Sequence, residues 1–367
     1  MAAVDEVHMR RALELAERGR ETVRPNPMVG CVLVQEGTVV GEGWHERAGG
    51  PHAEIVALRT ARGRTHGATA YVTLEPCAHH GRTGPCADAL IRAGVARVVY
   101  ALSEPSRRAR GGAQRLRAAG VKVSGGVLAS EACQQNEVFV TFHGAGRPFL
   151  TLKVAQTLDG RVAARDGSSR WITSPEARAA VHALRASMDA VLVGSGTVLA
   201  DDPELTVRAV SPPPVQPRPV WFDARGRTPA DAKVVRPGAI AVTTVRSQPR
   251  WRGALADRGV DVVTVPPGSG GGVDLTAALR ACAERDIQAM LAEGGPTLAG
   301  ALVRAHLVDR LVLHVAPAII GGDGLACLAG PGAPSLAERW TWRLDRVERL
   351  GDDLEVIAHP QTPPAGV

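Results

Sequence analysis

Residues 69–93, TAYVTLEPCAHHGRTGPCADALIRA, contain the pattern that decides the fold of the first half of the chain. The run 69–74 is rich in apolar and β-branched residues and predicts a strand. The run 86–93 has helical spacing and predicts a helix. Cys77 follows the predicted strand and Cys86 opens the predicted helix. The two sulfur atoms are therefore expected where a strand ends and a helix begins.

His52 lies upstream in the run Pro51-His52-Ala53-Glu54, at the predicted start of a helix over 51–62. A catalytic zinc ion takes three nitrogen or sulfur ligands from the protein and keeps its fourth position for water. His52, Cys77 and Cys86 supply such a set. A helix N-terminus also stabilises the thiolate, which is the form of cysteine that binds metal. The sequence therefore predicts a catalytic zinc site.

Glu54 stands two residues after His52, too close in sequence to act as a fourth ligand without strain. Its carboxylate is suited to take a proton from zinc-activated water and to deliver it to a leaving amine. In the zinc deaminases a carboxylate that does not bind the metal performs this proton transfer. Glu54 is thus the predicted catalytic residue.

Two other functions are compatible with a zinc site. A zinc deaminase of another nucleoside or of a tRNA base, fused to a reductase-like domain, would use the same ligands. A tRNA enzyme, however, is expected to show a basic, aromatic-lined face, and only 3% of the residues are aromatic. A structural zinc ion in a binding protein would need a closed site with four ligands, and no fourth Cys or His lies at a suitable spacing.

The chain has 367 residues, enough for two domains of ordinary size. The sequence pattern predicts a zinc deaminase domain over 1–146 and a second domain over 147–360, both of the α/β class. In the first domain, helices are predicted over 5–18, 51–62, 86–93 and 114–119, and strands over 29–34, 38–43, 69–74, 95–102 and 121–124. In the second, strands are predicted over 149–155, 190–194, 219–223, 240–245, 260–265, 287–292 and 311–316, helices over 175–187, 275–284 and 296–305, loops over 211–219 and 266–272, and a frayed tail over 360–367.

The net charge of +6 and the pI of about 9.3 raise the question of a nucleic-acid partner. The basic residues are almost all arginines scattered among acids, with lysine only at positions 122, 153 and 233. No long basic block is interleaved with aromatic residues. The charge pattern therefore predicts a few phosphate contacts and no nucleic-acid surface.

Six cysteines in a chain of this length are too few for a disulfide framework. Residues 1–20 are charged and periodic, unlike a signal peptide. The longest apolar candidate, 311–320, is interrupted by His314 and Pro317 and is too short to span a bilayer. A cytoplasmic protein without a membrane partner is expected. Fused α/β enzymes of this size often self-associate, so a homo-oligomer, either a dimer or a tetramer, is also expected.

Several runs together resemble a known family, the bifunctional riboflavin biosynthesis proteins. These join a diaminohydroxyphosphoribosylaminopyrimidine deaminase to a 5-amino-6-(5-phosphoribosylamino)uracil reductase. The runs are Pro25-Asn26-Pro27, Gly41-Glu42-Gly43-Trp44-His45, Pro51-His52-Ala53-Glu54 and TLEPCAHHGRT at 73–83. The resemblance implies a cytidine deaminase-like three-layer domain followed by a dihydrofolate reductase-like α/β domain.

In the first domain, the resemblance implies that Glu54 is the proton donor. It also implies that Asn26 and His45 face the pyrimidine ring. Arg82 would lie near the substrate phosphate, where a planar guanidinium suits an anion.

One loop departs from the family pattern. Members of the family carry Asp-Pro-Asn-Pro where this chain has Glu104-Pro105-Ser106-Arg107. That loop is associated with the ribose phosphate. Arg107 or Arg108 is a candidate for the missing contact.

The second domain has no Gly-x-Gly-x-x-Gly at a first strand–helix turn, which argues against a Rossmann domain of the usual kind. Two glycine turns, Gly194-Ser195-Gly196-Thr197 and Glu293-Gly294-Gly295-Pro296-Thr297, each follow a predicted strand. The second opens a predicted helix, where free backbone amides can hold phosphate. These turns, with LDGR at 158–161 and WITS at 171–174, resemble the reductase domain of the same family.

The resemblance implies two sets of ligand-binding residues in the second domain. NADPH would be bound by Ala155, Trp171, Thr197, Asp201, Gly295, Pro296, Thr297, Leu298, Ala299, Gly300 and Ala301. The substrate would be bound by Ser169, Arg185, Leu205, Arg208 and Glu293.

The implied partner is a small phosphoribosylaminopyrimidine. The zinc-dependent step, with one Zn²⁺ per chain, would deaminate 2,5-diamino-6-(5-phosphoribosylamino)pyrimidin-4(3H)-one by hydrolysis. NADPH would then reduce the ribosyl group to give 5-amino-6-(5-phosphoribitylamino)uracil. Lys153 and Asp159 are candidates for the proton donor of the second step by their location alone.

Overall fold

The computed structural model describes residues 2–79, 84–211 and 213–361. The chain forms two compact units, Met1–Gly144 and Ala145–Val367. Each unit has its own sheet and its own apolar core.

The first unit is built on a five-stranded sheet with the order β2-β1-β3-β4-β5. β1 runs antiparallel to β2 and β3, whereas β3, β4 and β5 are parallel. The strands are β1 Gly30–Gln35, β2 Thr38–Trp44, β3 Thr69–Leu74, β4 Arg97–Leu102 and β5 Lys122–Gly125. The helices are α1 Ala2–Glu17, α2 Ala53–Thr60, α3 Cys86–Arg92, α4 Gly112–Ala118, α5 Ala129–Gln135 and α6 Glu137–Ala145.

Apolar side chains on both faces of this sheet make three layers. On one face Val32 and Val99 pack with Met9 of α1. On the other face Leu33 and Val72 pack in a core that also receives side chains from α2, α3 and α4. This arrangement confirms the predicted three-layer deaminase-like fold.

The second unit is built on a nine-stranded sheet with the order β11-β10-β9-β8-β12-β6-β13-β16-β15. The strands from β11 to β13 in that order are parallel, and β16 and β15 complete the sheet as antiparallel strands. The strands of the unit are β6 Phe149–Thr157, β7 Arg161–Ala163, β8 Ala190–Gly194, β9 Arg218–Phe222, β10 Ile240–Thr243, β11 Asp261–Thr264, β12 Ala289–Ala292, β13 Arg310–Ala316, β14 Leu325–Ala326, β15 Trp342–Leu350 and β16 Asp353–Pro360. The helices are α7 Pro175–Ala186, α8 Ser195–Asp201, α9 Pro249–Ala256, α10 Leu275–Ala283 and α11 Pro296–Arg304, with a short 3₁₀ turn at Leu336–Glu338.

Several elements of the structure were absent from the sequence prediction. No helix was predicted between residues 125 and 148, but α6 spans Glu137–Ala145. Its β-branched and aromatic residues favour a strand locally, and tertiary packing outweighs that preference. The hairpin of β15 and β16 was also missed, because β15 is charged and largely exposed. The helices α5, α8 and α9 and the short strands β7 and β14 were likewise not predicted.

All six cysteines lie in the described part of the chain, and none of them forms a disulfide bond. Among the described residues, no helix combines the length and apolar character that crossing a bilayer requires.

Candidate active sites

Three elements of the first unit bring the predicted zinc ligands together. His52 is the N-cap residue of α2, and Cys86 is the first residue of α3. Cys77 lies three residues beyond the end of β3. The ligand atoms of the three residues all lie within 4.8 Å of one another, and no other His, Cys, Asp or Glu of the described chain joins this group.

The distances within this group fit a zinc ion. His52 Nδ1 lies 3.2 Å from Cys86 Sγ and 3.6 Å from Cys77 Sγ. A tetrahedral site with zinc–sulfur bonds of about 2.3 Å and zinc–nitrogen bonds of about 2.0 Å separates its ligand atoms by roughly 3.5–3.8 Å. The hydrogen bond with Cys86 and the contact with His52 lower the pKa of the Cys77 thiol, which favours the thiolate that metal requires.

Glu54 lies in the first turn of α2, where only 3% of its surface is exposed. Burial raises its pKa above the ordinary carboxyl value, although the charge of His52 opposes that effect. Glu54 lines the same cavity as His52 and Cys77, which has a volume of about 220 Å³. A buried carboxyl with a raised pKa beside the predicted metal ligands has the character of a general acid and base.

Asn26 and His45 form a hydrogen-bonded pair in the wall of this cavity. His45 Nδ1 donates to the carbonyl of Pro51 at 2.9 Å, which leaves Nε2 to accept from Asn26 Nδ2 at 3.0 Å. Burial lowers the pKa of His45, so the ring stays neutral in this arrangement. The structure thus brings both predicted pyrimidine contacts beside the zinc ligands.

The loop that departs from the family pattern also borders the cavity. Glu104, Ser106 and Arg108 line it. Glu104 is buried, accepts a hydrogen bond from the Ser106 amide at 2.9 Å, and has its pKa raised to about 7, chiefly by burial. Of the two candidate arginines, Arg108 is the one that reaches the cavity wall. Arg82 lies outside the described residues.

Four further cavity residues with ionisable or aromatic side chains were not singled out from the sequence: Glu75, His79, Phe139 and His143. Glu75 could have been found, because it stands in the quoted motif. Phe139 and His143 come from α6, which carried no sequence signal. The ring centroids of these two residues lie 4.4 Å apart.

A tight backbone contact holds the segment that carries Cys77. A Cβ atom added at Gly112 would lie 1.6 Å from the carbonyl oxygen of Pro76. Next to it, the amide of Ala113 donates to Glu75 Oε1 at 2.9 Å. The N-terminus of α4 therefore fixes Glu75 and Pro76, directly before the predicted metal ligand Cys77.

The second unit contains a larger cleft of about 1040 Å³. It is bordered by residues at the carboxyl ends of β6, β8 and β12, where ligands of open α/β sheets usually bind. Most of the residues predicted for the reductase line it: Ala155, Ser169, Trp171, Arg185, Thr197, Asp201, Leu205, Arg208, Glu293, Gly295, Pro296, Thr297 and Leu298. Ala299, Gly300 and Ala301 continue along α11, with Ala299 and Gly300 buried.

The start of α11 suits the phosphates of a dinucleotide. Gly295 is its N-cap residue, no described side chain caps the helix, and Thr297 and Leu298 of its first turn line the cleft. The Gly295 amide donates to Thr197 Oγ1 at 3.1 Å, which ties the two glycine turns together. The volume of the cleft and this free helix start fit NADPH.

The substrate residues predicted for the reductase include a buried ion pair. Arg185 Nε and one terminal nitrogen donate to the two carboxylate oxygens of Glu293 at 2.6 and 2.7 Å. Lys153 also lines the cleft. Asp159, the other candidate proton donor, instead accepts hydrogen bonds from the amides of Ile320 and Gly321.

Family models match both units. Residues 2–102 match the cytidine and deoxycytidylate deaminase zinc-binding region. Residues 148–356 match the RibD C-terminal domain. The three predicted zinc ligands lie within the first matched range, and the residues that line the cleft lie within the second.

Relatives match the chain over nearly its full length. The riboflavin biosynthesis protein RibD of Escherichia coli is 44% identical over 364 residues, which cover 95% of this chain and 98% of the relative. RibD of Mycobacterium tuberculosis is 41% identical over 356 residues, covering 96% of each chain. The solved structure of Acinetobacter baumannii RibD, form 1, is 38% identical, covers 99% of this chain and 100% of its own, and superposes with a TM-score of 0.81.

The folds, the three-ligand group and the cleft define a bifunctional enzyme, a zinc-dependent deaminase joined to an NADPH-dependent reductase. The chain belongs to the RibD family of riboflavin biosynthesis proteins.

Proposed function

We propose that the first unit deaminates 2,5-diamino-6-(5-phosphoribosylamino)pyrimidin-4(3H)-one and that the second reduces the ribosyl group of the product. The observation that carries this proposal is the convergence of His52, Cys77 and Cys86 beside a buried glutamate, in a cavity that Asn26 and His45 also line. A solved Thermotoga maritima relative, 33% identical with a TM-score of 0.74, is named for both activities.

In the deaminase cavity, His52, Cys77 and Cys86 would hold zinc, and Glu54 would move the proton. Zinc held there would supply Lewis-acid activation of water. Glu54 would take a proton from the attacking water and give it to the departing amine, a role that its raised pKa suits.

The side chains around Glu54 would bind the substrate. Asn26 and His45 orient the pyrimidine ring. Arg82 and Arg108 are proposed for the phosphate, since Arg108 lines the cavity and carries the charge that an anion needs.

In the reductase cleft, the N-terminus of α11 would hold a cofactor phosphate, together with Thr197, Trp171 and Asp201. NADPH bound there supplies the hydride. Ser169, Leu205 and Arg208 bind the substrate beside the Arg185–Glu293 pair. Lys153 is the proposed proton donor, because it lines the cleft while Asp159 is occupied with two backbone amides.

Metal analysis combined with a coupled assay tests this assignment. We expect about one zinc per chain, ammonia release from the diaminopyrimidine without NADPH, and NADPH oxidation only after deamination. Glu54→Gln should lower deamination by roughly 10²–10⁴-fold with zinc retained and reduction of the deaminated substrate unchanged. Deamination of adenosine-containing RNA in preference to the diaminopyrimidine would contradict the proposal.

We also propose that the protein self-associates, with a second copy pairing along β15. This strand of nine residues lies at the edge of the nine-stranded sheet and exposes Leu344 and Val347. An edge strand presents unpaired backbone N–H and C=O groups that a strand of another copy can bind, and such pairing would cover the exposed Leu344 and Val347 between the charged residues of β15. Light scattering of wild-type protein and Val347→Lys would test it: a monomeric wild-type protein would refute the idea.

The cysteines of the proposed zinc site form no disulfide bonds, which favours a reducing, cytoplasmic location.

A further inference from the structure

A cluster of polar side chains lies on one face of the nine-stranded sheet, next to the reductase cleft. Lys153 and Ala155 of β6 lie opposite Val312 and His314 of β13. His314 in turn lies opposite Glu355 of β16. Paired residues of neighbouring strands point to the same face, and diagonal neighbours are within reach of long side chains. Lys153 and His314 are therefore diagonal neighbours on the cleft side of the sheet.

The hydrogen bonds of His314 fix which nitrogen carries its proton. Only 1% of its surface is exposed. Nε2 lies 3.1 Å from Glu355 Oε2, and Arg346 donates to Glu355 Oε1 at 2.8 Å. Arg346 donates to the same carboxylate, whose oxygens act as acceptors, so His314 Nε2 donates its hydrogen to Glu355 Oε2. Nδ1 is then a buried lone pair, and no described residue donates to it.

The charges around His314 keep its ring neutral. The groups that face this region are Lys153 of β6, Asp353 and Glu355 of β16, Arg346 of β15, Arg185 of α7 and Glu293 after β12. These are three cations and three anions, so a protonated His314 would leave an uncompensated buried charge. Burial, and then the charge of Lys153, accordingly lower the pKa of His314.

Lys153 offers the donor that this lone pair lacks. Its ammonium has three N–H groups, and within the described chain it forms no hydrogen bond and no close ion pair. Burial lowers the pKa of Lys153, whereas the charge of Glu293 raises it. An ammonium in such surroundings is stabilised by any additional neutral acceptor.

We propose that His314, held by Glu355, is a positioning residue for the reductase step, in which one water accepts a hydrogen bond from the Lys153 ammonium and donates to His314 Nδ1. The contact directs the remaining N–H groups of Lys153 toward the cleft. This inference rests on the proposed role of Lys153 as proton donor. It adds a residue on β13 that is not among the residues lining the cleft and would act through Lys153.

The pH dependence of reduction follows from this contact. The proton donor must be the ammonium, so the reductase kcat falls as pH rises through the pKa of Lys153. Removing a neutral acceptor destabilises the ammonium and lowers that pKa. A neutral hydrogen bond corresponds to a shift of about 0.5–1 pH unit. The alkaline limb of the profile should therefore move to lower pH by that amount.

The test uses the full chain, the deaminated pyrimidine as substrate, and the pH profile of the reductase kcat. His314→Leu and Glu355→Gln should shift the alkaline limb to lower pH, and His314→Gln, which retains an acceptor, should restore part of it. The KM for NADPH should stay unchanged in all three. Asp345→Asn is the charge-matched control, since it removes an exposed carboxylate of β15 that pairs with Arg343 and not with Arg346, and it should leave the profile as in wild type.

Two results would overturn the inference. One is a His314→Leu profile that overlays the wild-type profile. The other is an equal loss of kcat at every pH accompanied by lower thermal stability, which is what a purely structural role produces. Lys153→Met separates the inference from the proposed function: full reductase activity in that variant would refute the proton-donor assignment itself.

If His314→Leu does not fold, NMR of the histidine ring nitrogens decides the question. The Nδ1 signal of His314 should change between wild-type protein and Lys153→Met, whereas the signal of His66 in the first unit should not. Identical His314 signals would show that Lys153 makes no water-mediated contact with Nδ1.

Discussion

Arg185 and Glu293 face each other in the reductase cleft as a two-point ion pair, with nitrogen–oxygen distances of 2.6 and 2.7 Å. Each side chain is 13% exposed. Both were predicted as substrate contacts, and the structure shows that they already bind one another. A substrate phosphate that approaches Arg185 must therefore share the guanidinium with Glu293.

This pair should contribute more to stability than a similar pair at the surface. We expect Glu293→Gln to lower the free energy of unfolding by about 3 kcal/mol, because it leaves a largely buried guanidinium without its counter-charge. Asp261→Asn is the matched control: Asp261 pairs with Arg285 at 2.6 Å, but its side chain is 40% exposed. That change should cost less than about 1 kcal/mol. Equal losses in denaturant unfolding would contradict the argument.

The same pair predicts how stability depends on pH. Burial alone would raise the pKa of Glu293, but the hydrogen-bonded Arg185 outweighs it and holds the pKa below the ordinary value. A carboxyl whose pKa is depressed on folding stabilises the protein above its unfolded-state pKa, and this stabilisation is lost as pH falls through the folded-state pKa. The stability difference between wild type and Glu293→Gln should be constant near neutrality and shrink below about pH 4. A difference that is independent of pH would refute this.

The contact between Gly112 and Pro76 predicts an effect on metal binding. A methyl group at position 112 cannot lie 1.6 Å from a carbonyl oxygen, so Gly112→Ala must displace the segment that leads to Cys77. We expect a drop in zinc affinity of about 10–100-fold, of the size seen when groups that support a ligand are lost. Gly144→Ala, where an added Cβ meets nothing within 4 Å, should retain full zinc content. Metal analysis after dialysis against a weak chelator measures both.

The hydrogen bond between Asn26 and His45 predicts a defect confined to the first activity. Asn26→Ala removes the donor to His45 Nε2 and a proposed pyrimidine contact. The deaminase kcat/KM should fall about 10–100-fold, as expected for one or two lost polar contacts. Zinc content and the reductase kcat serve as internal controls and should be unchanged. Loss of zinc from this variant would show that the pair supports the metal group instead.

The zinc group was predictable because its residues stand at element boundaries that the sequence marks. Pro51 and Pro85 precede the two helix starts, and the apolar run before Glu75 marks β3. The grouping of the three predicted ligands beside Glu54 follows from these signals and from metal chemistry. The α/β class of both units was confirmed for the same reason, since strands and helices with regular apolar spacing make up both cores.

The parts of the fold and of the sites that the sequence did not predict depend on contacts between distant segments. The two roles of Glu75, as acceptor for the Ala113 amide and neighbour of Glu104, arise only after α4 and β4 are in place. β15 was missed because a strand exposed at a sheet edge needs no apolar alternation. The partner of His314 lies 41 residues away on β16, so neither side chain carried a signal in its own segment.

Phe139 and His143 have a practical consequence for cutting the chain into halves. Both belong to α6, which ends at Ala145, where the second unit begins. A fragment stopped before Glu137, where the regular βα pattern of the first sheet is already finished, would lose one wall of its substrate chamber. An isolated deaminase fragment must therefore include the whole of α6, up to the first residue of the reductase half.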